Sequence, residues 1–431
     1  MSAVLEVHED AGGLPAPATL RTVKVGLVGL GQVGQAVARL APETVRLREA
    51  GYKFKIVGAL VRDVDKPRRC VRPPRMTSNP SAFLRGNYDV VIEALGTIEP
   101  ARTIVSRLLG RGIPVVTANK ALVAAHGPEL SALAARRGTS LRYEASALAG
   151  VPFLGALAAR PLVSDVQRFT AVVNGTSNFI LSKLDAEQCA FDHALDEARA
   201  LGLTEPDPSR DLDGLDAADK LSLLSSIFGW GTLAPSRIEV QGIRDITPED
   251  LTVARALGTT IKPVAHASIS PAGVSTFIGP AIVPLRHPLA ALNGTLSGIQ
   301  FSGRFVSDLF FSGPGAGPDI TAATVLDDAV EAVSTAPKAP RTSTRTHRVV
   351  PVAAAPSSGW LVRVRFPGIA PDVDTTAQIF APYHLHTVHV IESGSNTRYL
   401  RLAPCTRDAI DQAIGGIHNT HRVQCAAFRA L

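Results

Sequence analysis

Cysteine is scarce in this chain: Cys70, Cys189, Cys405 and Cys425 are the only four in 431 residues, and none forms a CxxC pair. That spacing argues against a disulfide scaffold or a zinc cluster and fits a reducing compartment. The first twenty residues hold acidic residues, Gly and Pro but no basic-then-apolar run, so no secretory leader is expected. Nor does any stretch approach the roughly 20 apolar residues that cross a bilayer. Aromatics are only 5% of the chain, while hydrophobic residues make up 45% and Gly is plentiful, as tightly packed α/β sheets tend to require. The expectation is a soluble, cytoplasmic protein with no membrane contact.

The formal charge is +6. Part of that excess sits in one stretch, Lys338, Arg341, Arg345 and Arg348, and elsewhere the two signs are interspersed. A nucleic-acid partner is therefore disfavoured, and a moderately basic enzyme with anionic ligands explains the balance equally well.

Length implies two or three domains. Thr22 to Gly31 is an apolar run that stops at glycines, and a helix is expected from Gln35 to Arg46. Strands follow at Lys53 to Val61, Tyr88 to Ala94 and Ile113 to Thr117, with a helix at Pro100 to Arg111, and Leu141 to Ser146 extends the pattern. Strands alternating with helices predict a parallel sheet of Rossmann type. After Gly150 come a strand at Arg168 to Val173, a helix opening at Asn174, and helices at Phe191 to Ala200 and Gly214 to Phe228. Ile238 to Arg304 reads as short strands with a helix, an antiparallel α+β part. A glycine-rich turn at Ser312 to Gly317 then precedes a helix from Thr321 to Val333.

The expected division is a dinucleotide-binding domain over 20–150, completed by about 312–334, and a catalytic and dimerisation domain over 151–311. A Pro/Ala/Ser/Thr-rich linker over 335–359 leads to a βαββαβ module over 360–431.

Gly29-Leu30-Gly31-Gln32-Val33-Gly34 ends the first strand and opens a helix, the context in which GxGxxG binds a dinucleotide pyrophosphate. The second strand ends at Val61-Arg62-Asp63, with Lys66 and Arg68 close by. An acidic residue there suits the ribose of NAD, and a cation suits the 2′-phosphate of NADP. Arg62 tilts the expectation to NADP, and Asp63 keeps NAD open. The plainer reading makes Arg62 a solvated loop residue.

Leu201 to Lys220 is the most informative stretch. Prolines on both sides of Asp207 make a rigid loop, and Asp216 and Lys220 share one face of the helix that follows Gly214. A loop of carboxylates beside a helical ammonium would suit a small zwitterion and proton transfer to its oxygen. The plainer reading makes Asp213 a helix cap and Asp216–Lys220 a surface pair contributing about 0.3–0.5 kcal/mol.

Here the chain resembles the homoserine dehydrogenases. Over about residues 22–330 it carries, in order, Gly29 to Gly34, Val115-Val-Thr-Ala-Asn-Lys-Ala-Leu, Tyr143-Glu-Ala-Ser, Val173-Asn-Gly-Thr-Ser-Asn, the loop just described and Gly313-Pro-Gly-Ala-Gly. The resemblance implies NAD(P)-dependent interconversion of L-aspartate 4-semialdehyde and L-homoserine, in threonine, methionine and isoleucine biosynthesis. Lys220 would be the general acid/base and Asp216 its orienting partner, also touching substrate. Lys120 would be a catalytic lysine shared by cofactor and substrate, with Glu205 and Asp211 as substrate contacts. Gly96, Gly202 and Gly315 would lie against the cofactor, with Gly317 beside Gly315.

Glu144 with the carbonyls of Ala147, Ala149 and Val151 resembles the family's monovalent cation site, usually sodium; the plainer reading has Glu144 capping a turn. The C-terminal module resembles an ACT domain, with Phe366-Pro-Gly-Ile at the ligand loop, and implies a threonine effector. Family members are homodimers or homotetramers. Two rivals remain: an aspartate semialdehyde dehydrogenase, for which neither Cys70 nor Cys189 is well placed as nucleophile, and a non-catalytic NADP-binding amino-acid sensor, which has no need of the Asp216–Lys220 pair.

Overall fold

The structure, a computed structural model, describes residues 20–69, 75–158, 160, 162–334 and 351–431. Cys70 and the basic stretch from Lys338 to Arg348 lie outside them.

The amino-terminal third alternates as expected: β1 (Arg21–Val28), α1 (Gln32–Glu43), α2 (Val45–Glu49), β2 (Tyr52–Leu60), β3 (Met76–Thr77), α3 (Pro80–Leu84), β4 (Val90–Glu93), α4 (Ala101–Gly110), β5 (Val115–Thr117), α5 (Lys120–Arg136) and β6 (Leu141–Arg142). The six strands form one sheet in the order β3-β2-β1-β4-β5-β6, and every pairing is parallel. Order reverses between β1 and β4, which opens a crevice at their carboxyl ends. Two expectations need correction. Helix α1 begins at Gln32 rather than Gln35, because Gly31 already caps it and Gly34 lies in its first turn. The strand expected over Leu141 to Ser146 stops at Arg142, and Glu144 opens a short helix, α6 (Glu144–Ala147).

The central part follows as α7 (Leu154–Ala158), β7 (Val166–Val172), α8 (Gly175–Glu187), α9 (Phe191–Ala200), α10 (Ser209–Leu212), α11 (Leu215–Ile227), α12 (Pro248–Ala256), β8 (Thr259–Ser270), β9 (Gly273–Pro284), β10 (Leu296–Gly303), β11 (Leu309–Pro314) and α13 (Pro318–Ser334). The short strands expected here include two long ones: β8 and β9, twelve residues each, form an antiparallel hairpin. Their apolar residues are nearly continuous because both faces are covered over much of their length, which hides the usual alternation. The turn expected at Ser312 starts later, since Ser312 to Pro314 belong to β11. Helix α13 returns to the first sheet, where Ala322, Val325 and Ala329 join Val23, Val25 and Leu27 in one core.

The C-terminal module is β12 (Val352–Ala353), β13 (Ser358–Arg365), α14 (Val373–Gln378), β14 (Thr387–Ser393), β15 (Thr397–Cys405), α15 (Arg407–His421) and β16 (Gln424–Ala430). From β13 onward this is the expected βαββαβ module, with strand order β16-β13-β15-β14. Helix α15 runs through both Gly415 and Gly416, and Gly416 serves close packing: a Cβ there would stand 1.9 Å from the Tyr383 hydroxyl. The module does not hang free. Strand β16 pairs in parallel with β9, and β12, inside the expected linker, pairs with β9 too, so one ten-stranded sheet runs through both parts. Leu361, Tyr399 and Phe428 pack on Ile180, Leu184 and Leu195 of α8 and α9. Among the described residues no helix is long and apolar enough to cross a membrane.

Candidate active site

The glycine turn meets the demands of a bound pyrophosphate. Gly29 has φ +96°, where L side chains are strained, and a Cβ on Gly34 would stand 2.3 Å from the Gly29 carbonyl oxygen. Gly31 has open space where its Cβ would be, and no side chain caps α1 there, so the helix N-terminus offers bare N–H groups. Leu30 is buried, Val33 half-buried and Gln32 exposed. Gly96, after β4, has φ +82° and also faces open space. These residues fit a dinucleotide.

At the end of β2, Arg62 is exposed. The Asp63 carboxylate accepts N–H bonds from Asp65 (2.9 Å) and Lys66 (3.2 Å), and the Asp63 carbonyl accepts from Arg68 (2.5 Å). Asp63 therefore shapes its own turn.

Across the crevice, α5 packs against α11, and this brings Lys120 to Asp216. The Lys120 ammonium donates to Asp216 Oδ1, and Lys220 Nζ lies 3.0 Å from Oδ2 and donates to the Val173 carbonyl at 2.6 Å. Two ammoniums thus share one carboxylate. The Asp216 and Lys220 side chains are only 12% and 14% exposed, so the surface-pair reading fails. Burial alone would raise the Asp216 pKa, but Lys220 and Lys120 together hold the carboxyl well below the usual carboxylate range. Asp213 is no cap either: it pairs with Arg244 (2.5 Å), and Gly214, at φ +77°, precedes α11.

Asn174 is a site residue that sequence reasoning gave no role. Its Nδ2 donates to Asp211 (2.7 Å) and Asp216 (3.0 Å), while its Oδ1 accepts Ser177 N–H (2.8 Å) and caps α8. One side chain therefore opens a helix and ties two carboxylates together. The signal was present in Asn-Gly-Thr-Ser before a helix, but the reach to Asp211 and Asp216 is tertiary. Burial raises the Asp211 pKa, with the Asp216 charge adding to the rise and the Asn174 hydrogen bond opposing it.

The remaining expected residues are spread more widely. Glu205 is exposed on the loop after α9, and Gly202, at φ +69°, turns that loop. The loop is tied to α8 by the Thr176 hydroxyl, which donates to the Leu203 carbonyl (2.6 Å). Gly315 has no room for a side chain, since a Cβ would stand 2.0 Å from Ser297 Oγ. Gly317 has φ +136°.

Glu144 is buried, and its two oxygens accept N–H bonds from Leu154 and Gly155, each at 2.7 Å, at the start of α7. Of the carbonyls expected beside it, that of Ala149 accepts the Thr324 hydroxyl and that of Val151 accepts Phe153 N–H (3.0 Å). Ala147 lies in α6. These contacts make Glu144 a cap of α7.

Comparison with known proteins agrees with this geometry. Residues 29–144 match the homoserine dehydrogenase NAD-binding domain, and residues 152–330 match the homoserine dehydrogenase family. The homoserine dehydrogenase of Corynebacterium glutamicum is 36% identical over 319 residues, 72% of each chain. That of Mycobacterium leprae is 37% identical over 320 residues, again 72% of each. A solved homoserine dehydrogenase from Thiobacillus denitrificans superposes with a TM-score of 0.84 at 29% identity, covering 96% of this chain and 99% of its own. A hyperthermophilic archaeal homoserine dehydrogenase in complex with NADPH shares the fold at a TM-score of 0.60, with 24% identity, 74% of this chain and all of its own covered. Nothing in these matches supports a non-catalytic sensor. With both family models matched and relatives above 30% identity across more than two thirds of its length, this chain belongs to the homoserine dehydrogenase family and is an oxidoreductase with an NAD(P)-binding domain.

Proposed function

We propose that this chain interconverts L-aspartate 4-semialdehyde and L-homoserine, with Lys220 as general acid/base. The observation that carries the reading is the buried Asp216 carboxylate shared by Lys120 and Lys220, with Lys120 just past β5 in the same parallel sheet whose β1 ends at the glycine turn. The turn from Gly29 to Gly34 would hold a dinucleotide, whose nicotinamide would supply the hydride acceptor for the alcohol or the hydride donor for the aldehyde. In the reductive direction Lys220 gives a proton to the carbonyl oxygen, and in the oxidative direction it takes one from the hydroxyl. Asp216 holds both amines on one side of the reacting carbon. Lys120, at the N-terminus of α5, reaches across to substrate and cofactor. Glu205 and Asp211 hold the substrate's ammonium end. Asn174 keeps Asp211 and Asp216 apart and oriented, by donating to both.

For the cofactor we propose NADP over NAD. Arg62 stands exposed at the end of β2 for a 2′-phosphate, whereas the Asp63 carboxylate is occupied by its own turn. Gly202, Gly315 and Gly317 line the approach to the nicotinamide. A cation enters no step of this mechanism. The C-terminal module is proposed as ACT-like and the site of a threonine effector, and the chain as a homo-oligomer; its βαββαβ order supports the first of these.

The test is to mix the purified protein with homoserine and NADP, and separately NAD, and follow the reduced-nicotinamide absorbance. Turnover with NADP at the higher kcat/KM supports the reading, and Arg62→Ala should erase that preference. Cofactor binding with no turnover on either dinucleotide would sink it.

A further inference from the structure

Glu93 ends β4 in a Val-Val-Ile-Glu strand and is 0% exposed. Among the described residues its hydrogen-bond partners are all neutral donors: the Thr117 hydroxyl (2.5 Å), Leu95 N–H (2.7 Å) and Asn119 Nδ2 (3.3 Å). Burial raises its pKa, and the three hydrogen bonds work against that rise. A carboxyl kept here without a cation is costly for the fold, and an apolar side chain in a parallel strand would not be. A group so placed calls for a function.

The partners indicate which. Asn119 N–H donates to the Thr117 hydroxyl (3.0 Å), Asn119 Nδ2 also donates to the Thr97 carbonyl (2.8 Å), and Asn119 Oδ1 accepts Leu122 N–H (3.1 Å), capping α5. Lys120 is the first residue of that helix. Glu93 is therefore two hydrogen bonds from the backbone that launches the Lys120 side chain. The same carboxyl grips Leu95, next to Gly96, so one buried group fixes the two loops that flank the crevice.

We propose that Glu93 is a positioning residue for the Lys120 ammonium, acting through Thr117 and Asn119. The proposal rests on the reading of Lys120 as part of the active site. A shift of about 1 Å in a reacting group can cost on the order of 100-fold in rate.

A double-mutant cycle tests it, with homoserine oxidation as the readout and thermal unfolding as the control for folding. Glu93→Ala should lower kcat by roughly 30- to 100-fold in the otherwise native enzyme, and by less than about threefold when Lys120→Ala is already present. Glu93→Gln should stay within about threefold of the native kcat, because its oxygen still accepts from Leu95 and Asn119 while its amide donates to the Thr117 hydroxyl. Thr117→Val, near-isosteric, runs the same cycle should Glu93→Ala fail to fold. An equal loss in both backgrounds would overturn the positioning role and leave Lys120's role standing. If Lys120→Ala alone leaves turnover intact, the reading of the site fails first, and this proposal falls with it.

Discussion

Asp216 and Asp250 occupy the same place in their helices, the first turns of α11 and α12, and both are buried where two parts of the molecule meet. Their partners differ. Asp216 holds two lysines and the Asn174 amide, and one of those lysines, Lys120, is 39% exposed. Asp250 is 0% exposed, pairs with Arg363 and accepts the Tyr399 hydroxyl (2.8 Å), both from the C-terminal module, and completes a capping box with Thr247. Arginine is always charged and its guanidinium binds in a fixed geometry. Lysine turns on a flexible stem and can give up a proton. Identical carboxylates thus serve as a rivet at one boundary and, under the proposed mechanism, as a hub for proton transfer at the other. What decides between them is the cation and whether solvent can reach it.

The sharpest way to break this comparison is to remove one cation from the hub. Lys220→Ala should cut kcat by about 1,000-fold, within the range for loss of a general acid/base, while cofactor affinity and melting temperature stay near native. Asp216 keeps Lys120 and Asn174 in that variant, so the fold is not left with a bare charge. If unfolding fell as far as activity, the site would be a second rivet. Removing the rivet itself should do the opposite. Asp250→Ala leaves Arg363 buried without its carboxylate, and stability measured by denaturant should drop by about 3–5 kcal/mol. Turnover per folded molecule should stay within about twofold, since Asp250 touches nothing in the crevice.

Acid separates hub from rivet more gently. The Asp216 carboxyl titrates below its unfolded value near 3.9, so its contribution is complete above about pH 4. As pH falls below that, the unfolded chain takes up the proton first and the contribution is lost. Stability curves of the native protein and Asp216→Asn should therefore converge below about pH 4. Tyr399 has the opposite sign. Burial and the Asp250 charge raise its pKa above the unfolded value of about 10, so the seam is fully held below that pH and weakens as pH climbs past it. A native curve parallel to that of Asp216→Asn down to pH 2 would show that Asp216 carries no such linkage.

Much of the hub was readable in advance, because its spacing is local and its Thr-Ala-Asn-Lys and Gly-Leu-Asp-Ala-Ala-Asp-Lys segments resemble the family's. Asp216 and Lys220 lie four apart on one helix, Lys120 opens another, and Gly29 to Gly34 needs only its strand and turn to be read. The rivet was not readable. Arg363 and Asp250 are 113 residues apart, and nothing in either neighbourhood marks the other as its partner. Glu93 shows the intermediate case: a carboxylate ending an apolar strand is visible as an anomaly, but Thr117 and Asn119 become its partners only once β4 and β5 pair. The docking of β16 on β9 escaped the sequence for the same reason. A parallel pairing between distant strands has no turn to announce it, so a segment that reads as a tethered module is built into the catalytic sheet.

The smallest expected effect lies at the edge of the same seam. Arg365 stands 3.6 Å from Glu249, and the two side chains are 38% and 33% exposed. Water screens this pair, and two long side chains lose freedom to form it, so Arg365→Ala should cost at most about 1 kcal/mol and less as salt is raised. Glu249 also keeps a hydrogen bond from the Ser393 hydroxyl at 2.5 Å, which does not depend on Arg365. A loss near that of Asp250→Ala would mean that the seam's charges act as one network, and the contrast between a buried rivet and a screened rim would have to be abandoned.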